Sequence, residues 1–148
     1  MSDGDEYDEL VLGSLECYER AARRVAEDFA RRGAVVHPLG VDLDALDALH
    51  VRVGRRGQTG EDILGSLPVT GDLERAVVEL ADLLQEKEFD QGDTTWPGCL
   101  SGHTHPPTAA LVDGVACWQC PRSHAILFSI GQPTAAPRAA PALRRPNL

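Results

Sequence analysis

Aromatic residues are scarce in this sequence and make up 5% of its 148 residues. A hydrophobic core must therefore be built mainly from Leu, Val and Ala. The sequence also has no apolar run approaching the ~20 residues that a membrane-spanning helix needs. The N-terminal stretch MSDGDEYDEL contains neither the basic nor the apolar segment of a secretory signal. These absences predict a cytoplasmic protein without a membrane segment, whose thiols stay reduced.

Basic residues are outnumbered, and the net charge is −9. Residues 1–90 carry 21 acidic and 10 basic residues, against 2 and 4 in residues 91–148. An acidic surface repels the phosphates of nucleic acids, and no basic patch that would offset this repulsion is evident. We therefore expect no binding to nucleic acid and favour a protein partner or self-association.

The common zinc-enzyme motifs are also missing. HExxH is absent, and His103-Thr104-His105 stands where a zinc deaminase has HxE, so the proton-transferring glutamate is lacking. No pair of carboxylates stands out for acid–base catalysis. Binding is therefore favoured over catalysis. A zinc-dependent enzyme of the hydrolase type, with an open metal position, is the alternative.

Two segments have the apolar periodicity of amphipathic helices. The first begins near Asp8, and its apolar residues recur at steps of three or four: Val11, Leu15, Tyr18, Ala22, Val25 and Phe29. The second runs from about Gly71 to Glu88, with a stripe of Leu73, Val77, Leu80 and Leu84. Between them, VDLDALDALH and TGEDILGSLP predict short helical segments, and VRVG predicts a brief strand. Residues 1–90 are therefore interpreted as an acidic, mainly helical α+β body.

The most distinctive stretch is WPGCLSGHTHPPTAALVDGVACWQCP, residues 96–121. It contains five candidate metal ligands: Cys99, His103, His105, Cys117 and Cys120. Asp113-Gly114 is a strong signal for a two-residue β-hairpin turn, and residues 108–112 and 115–118 can form the arms. This hairpin would bring the first three candidates to the last two. A redox role for the CxxC pair is disfavoured, because no βαβ pattern surrounds it.

Two ligand-bearing turns joined by short antiparallel strands resemble a zinc ribbon, over about residues 96–131. The resemblance implies one structural Zn²⁺ per chain, held by the three cysteines of the stretch and one histidine. The first half departs from the usual CxxC of such modules and reads CxxxH or CxxxxxH. The choice between His103 and His105 is therefore open.

The predicted fold class is α+β: a helical N-terminal body with two main amphipathic helices, then a zinc-ribbon-like three-stranded antiparallel module at residues 91–131. Residues 132–148, rich in Pro, Ala and Arg, are predicted to form a disordered tail. The resemblance implies a small soluble protein-interaction or accessory module with a structural Cys3His zinc site. A nucleic-acid-binding zinc ribbon is a further alternative. It is disfavoured because residues 96–131 contain only one basic residue, Arg122.

Overall fold

The structure, a computed structural model, describes residues 3–131, with side chains from residue 6 onward. Two helices and two three-stranded antiparallel sheets follow one another along this part of the chain. The elements are α1 (Asp3–Arg31), β1 (Val36–Leu43), β2 (Leu49–Arg55), β3 (Asp62–Leu67), α2 (Leu73–Phe89), β4 (Thr108–Val112), β5 (Val115–Gln119) and β6 (Ile126–Ser129). The predicted α+β class is confirmed. The tail predicted at 132–148 lies outside the described residues.

The first helix, α1, buries four members of the predicted apolar stripe and partly buries the other two, Leu15 and Ala22. Val11, Tyr18, Val25 and Phe29 are each at most 2% exposed. The helix begins at Asp3, earlier than the expected start near Asp8. Within the described chain, neither α1 nor α2 combines the length and the apolar character needed to cross a membrane.

Residues 36–67 form a sheet in the order β1-β2-β3, where the sequence predicts two short helical segments. At the first of them, the carboxylate of Asp44 accepts hydrogen bonds from the amides of Leu46 and Ala48 and turns the chain into β2. Leu46, part of the apparent helical pattern, lies in this turn and is 88% exposed. The second segment is β3, which pairs with β2. Both helical predictions are therefore wrong, because pairing between strands outweighs the local pattern.

The second helix, α2, packs against α1 and contacts strands of both sheets. Asp72 caps its N-terminus by accepting a hydrogen bond from the amide of Glu74. Near its other end, the buried carboxylate of Glu88 accepts hydrogen bonds from the amides of Val35 and Val36, at 2.9–3.2 Å. Glu88 thereby fixes the start of β1 on α2.

The second sheet has the order β4-β5-β6, and its hairpin is the predicted one. Asp113 and Gly114 join β4 to β5 with φ angles of 51° and 79°. Two successive positive φ angles are the requirement of a type I′ turn, which Asp-Gly satisfies well. β6 then pairs with β5 to complete a three-stranded sheet.

The second sheet is held firmly against the helices. Phe29, Trp96 and Trp118 form an aromatic cluster with ring centroids 4.4–6.2 Å apart. Glu74 on α2 pairs with Arg24 on α1 and also accepts a hydrogen bond of 3.0 Å from the amide of Ala116 in β5. The hydrophobic core is therefore continuous from the helices into the second sheet.

Candidate metal centre

Three of the five candidate ligands come from residues 96–107, the second part of the connection between α2 and β4, which is called the ligand loop below. Cys99 and His103 lie on either side of a turn in which the amide of His103 donates to the carbonyl of Leu100 at 2.9 Å. Gly102 in this turn has a φ angle of 85°, which residues with a side chain rarely adopt. His105 follows two positions after His103, immediately before two prolines that favour an extended chain into β4.

Cys120 comes from the other side of the hairpin, immediately after β5. Thr108, the first residue of β4, pairs with Gln119, so the hairpin places Cys120 beside the end of the ligand loop. A turn follows at once, since the amide of His124 donates to the carbonyl of Cys120 at 2.9 Å. The amide of Ser123 donates to the Cys120 sulfur at 3.4 Å.

The four side chains converge in an alternating set of sulfur and nitrogen atoms. The Cys99 Sγ lies 3.5 Å from His103 Nδ1 and 3.4 Å from His105 Nε2. The Cys120 Sγ lies 3.6 Å from His103 Nδ1 and 3.4 Å from His105 Nε2. All four donor atoms lie within 4.8 Å of one another. Cys120 is buried and the other three are half-buried, so the cluster can hold a metal ion at the edge of the module.

The two thiols have different tendencies to ionise. Hydrogen bonds from Ser123, helped by the His105 ring and the amide of Arg122, lower the pKa of the Cys120 thiol to about 5, although burial acts against them. Burial, and then the nearby sulfur of Cys120, raise the pKa of the Cys99 thiol. Two thiolates this close repel each other unless a cation lies between them. A bound cation would favour the ionised form of both.

Cys117 is the predicted ligand that the structure does not bring to the cluster. It lies in the middle of β5, paired with Ala110 of β4 and Ser129 of β6, and burial raises the pKa of its thiol. An extended strand places residues three apart about 10 Å from each other along the chain. Cys117 and Cys120 therefore do not converge as the CxxC pattern suggests, and the described cluster is Cys2His2 where the resemblance implies Cys3His.

Both histidines between which the sequence leaves the choice open belong to the cluster. The sequence reasoning missed Gln85, a buried residue of α2 that binds both ends of the ligand loop. Its signal in the sequence is weak: a glutamine next to Leu84 in the apolar stripe. No local pattern could indicate its partners, which lie 11 and 22 positions away.

Comparison with known proteins identifies no relative of this chain. No protein-family model, curated protein or solved structure matches the chain. The identification of the site therefore rests on the positions and the chemistry of Cys99, His103, His105 and Cys120.

Proposed function

We propose that this chain binds one Zn²⁺ in a structural Cys2His2 site, and that the zinc holds the second sheet as a ribbon-like module for protein interaction. The observation that carries the proposal is the geometry of the four donor atoms. Each of the two sulfurs lies 3.4–3.6 Å from each of the two nitrogens.

These distances agree with the edges of a zinc tetrahedron. With Zn–S bonds of about 2.3 Å and Zn–N bonds of about 2.0–2.1 Å, a sulfur and a nitrogen in a regular tetrahedron are about 3.5 Å apart. The four observed distances of 3.4, 3.5, 3.4 and 3.6 Å all lie close to that value. The four sulfur–nitrogen distances therefore support a small tetrahedral ion, and the remaining sulfur–sulfur and nitrogen–nitrogen pairs lie within 4.8 Å.

The donor chemistry favours zinc and a structural role. Thiolate and imidazole together suit a borderline-soft ion, whereas Mg²⁺ and Ca²⁺ prefer oxygen ligands. Structural zinc sites have four protein ligands, whereas catalytic ones usually keep one position for water. Because four side chains converge here, the proposal favours a structural site over the hydrolase alternative.

The zinc would join the ligand loop to the end of β5 and so close the module at one edge. A sheet of three short strands has little core of its own, and a bound metal adds free energy to its folding. Elsewhere in the sheet, the carboxylate of Asp28 accepts a hydrogen bond from Trp118 of β5. Zinc and these core contacts together would keep the surface of the module rigid.

The start of α1 exposes apolar side chains among acidic ones. Tyr7 continues the helical spacing of the buried Val11 and Tyr18, but it is 50% exposed, and Leu10 is 54% exposed. The exposed acidic residues Glu6, Asp8 and Glu9 surround them. We propose that a protein with basic residues around an apolar contact fits this surface, since like charges oppose the pairing of two such helices. In sedimentation at low ionic strength the protein should then be monomeric, and a stable dimer would favour self-association.

Metal analysis of the purified protein tests the zinc site. We expect one zinc per chain in the wild type, and loss or strong weakening of zinc binding in C99A, H103A, H105A and C120A, each of which removes one donor. Cys117→Ala and Cys17→Ala are the matched controls, because both remove a buried cysteine outside the cluster and should keep the zinc.

Full zinc occupancy in both C99A and C120A would refute the site. Loss of zinc in Cys117→Ala, with retention in one histidine variant, would favour the Cys3His set instead. A metal with three protein ligands and a bound water would favour the enzyme alternative. A steep salt dependence of DNA or RNA binding would support the nucleic-acid alternative.

A further inference from the structure

Gln85 joins the ligand loop to the helical body at both of the loop's ends. Its side chain lies on α2 and is 4% exposed. The Nε2 atom donates hydrogen bonds to the carbonyl of Trp96 at 3.0 Å and to the carbonyl of Pro107 at 2.8 Å. Cys99, His103 and His105 all lie between these two carbonyls in the chain.

This contact requires a side chain that can donate two hydrogen bonds. Both partners are carbonyl oxygens, which only accept hydrogen bonds, and the glutamine NH₂ group has two hydrogens to donate, one for each. A buried carbonyl without a partner costs about 1–3 kcal/mol. The two ends of the loop are therefore held close together by one side chain that no nonpolar residue can replace.

These two hydrogen bonds of Gln85 fix the part of the chain that carries three of the four donor atoms. Cys120 is the fourth donor, and β5 holds it independently of Gln85. A loop that is free to open would lose conformational entropy when it binds metal, whereas a loop already closed loses less. Gln85 also links the ligand loop directly to α2, and α2 packs on α1 and on both sheets.

We infer that Gln85 is a positioning residue for the metal site: it closes the ligand loop before metal binds, and it transmits metal binding to α2. The inference rests on the proposed zinc site and adds a residue outside the ligand set. Gln85 itself does not touch the metal. Its side-chain amide sets the spacing of the loop ends, and the loop sets the positions of Cys99, His103 and His105.

The test compares Q85M with E88M by competition for zinc with a chelator. Glu88 is a matched control, because it lies one helical turn further along α2, is 3% exposed and also binds two backbone groups, the amides of Val35 and Val36. Q85M loses the hydrogen bonds to two carbonyls and E88M loses those to two amides, so both changes should lower the unfolding temperature. We expect zinc affinity to fall about tenfold in Q85M, in the range known for residues that support metal ligands, and to stay within about twofold of the wild type in E88M.

Hydrogen exchange of the α2 amides gives a second readout. We expect zinc to slow exchange along α2 in the wild type and in E88M, and to have little effect there in Q85M. If Q85M does not fold, Gln85→Glu takes its place, since it keeps the shape and has at most one hydrogen to donate, when its carboxyl group is protonated. Wild-type affinity and wild-type zinc protection in the Gln85 variant would overturn the inference while the zinc site stands. A wild-type protein that binds no zinc would overturn both.

Discussion

Asp28 is one of the residues through which α1 holds the second sheet. Its buried carboxylate accepts hydrogen bonds from Trp118 Nε1 at 2.9 Å, from Arg32 Nε at 3.0 Å and from the amide of Gly131 at 3.2 Å. A buried charge is tolerated when it is hydrogen-bonded and paired in this way. Loss of the carboxylate would leave all three donors without this partner in the interior.

Replacement of Asp28 by Ala should therefore lower the free energy of unfolding by about 2–4 kcal/mol. Glu27→Ala is the neighbouring control, because Glu27 is exposed and pairs with Arg31 on the helix surface. That change should cost less than about 0.5 kcal/mol. Urea unfolding with excess zinc measures both values, and equal losses in the two variants would contradict this role for Asp28.

At the scale of elements, the β4–β5 hairpin brings together the two halves of the candidate metal site. Its turn depends on Gly114, whose φ angle of 79° is unfavourable for a residue with a Cβ atom. Gly13 offers a contrast, because it lies inside α1 with open space where a Cβ would be.

Gly114→Ala should lower the free energy of unfolding by about 1–2 kcal/mol, the cost of a left-handed conformation in an L-residue. Gly13→Ala should raise it by about 0.5–1 kcal/mol, because alanine favours the helix. Thermal unfolding of the zinc-loaded proteins compares the two changes. Effects of the same sign would contradict the assigned conformations of these glycines.

The elements that the sequence predicted correctly are those whose signal lies within a short stretch of chain. The apolar stripes of α1 and α2 repeat over many residues, and Asp113-Gly114 specifies the hairpin almost alone. Residues 42–49 misled the prediction because Leu43, Leu46 and Leu49 have helical spacing by chance. Leu49 pairs with Leu43 across the turn and with Leu67 of β3, and a partner as distant as Leu67 leaves no mark in a short window.

The candidate site was predictable in location and partly in composition. Four of the five predicted ligands converge: Cys99, His103, His105 and Cys120. The CxxC spacing suggested Cys117 because the pattern alone does not show that β5 continues through Gln119 before the chain turns. The second histidine takes the place that Cys117 was expected to fill.

At the scale of the whole molecule, the proposed zinc site lies at the edge of a module that shares its core with the helices. The ligand loop is tied to α2 through Gln85, and β5 is tied to α1 through Trp118 and Asp28. Metal binding at the edge is therefore expected to stabilise the entire described chain and not the second sheet alone.

X-ray absorption at the zinc edge tests the central claim most directly, because it counts the sulfur and nitrogen neighbours of the bound ion. The wild-type protein should show two sulfurs at about 2.3 Å and two nitrogens at about 2.0–2.1 Å, as expected for Cys99, Cys120, His103 and His105. Three sulfurs, or an oxygen in place of a histidine nitrogen, would contradict the Cys2His2 site.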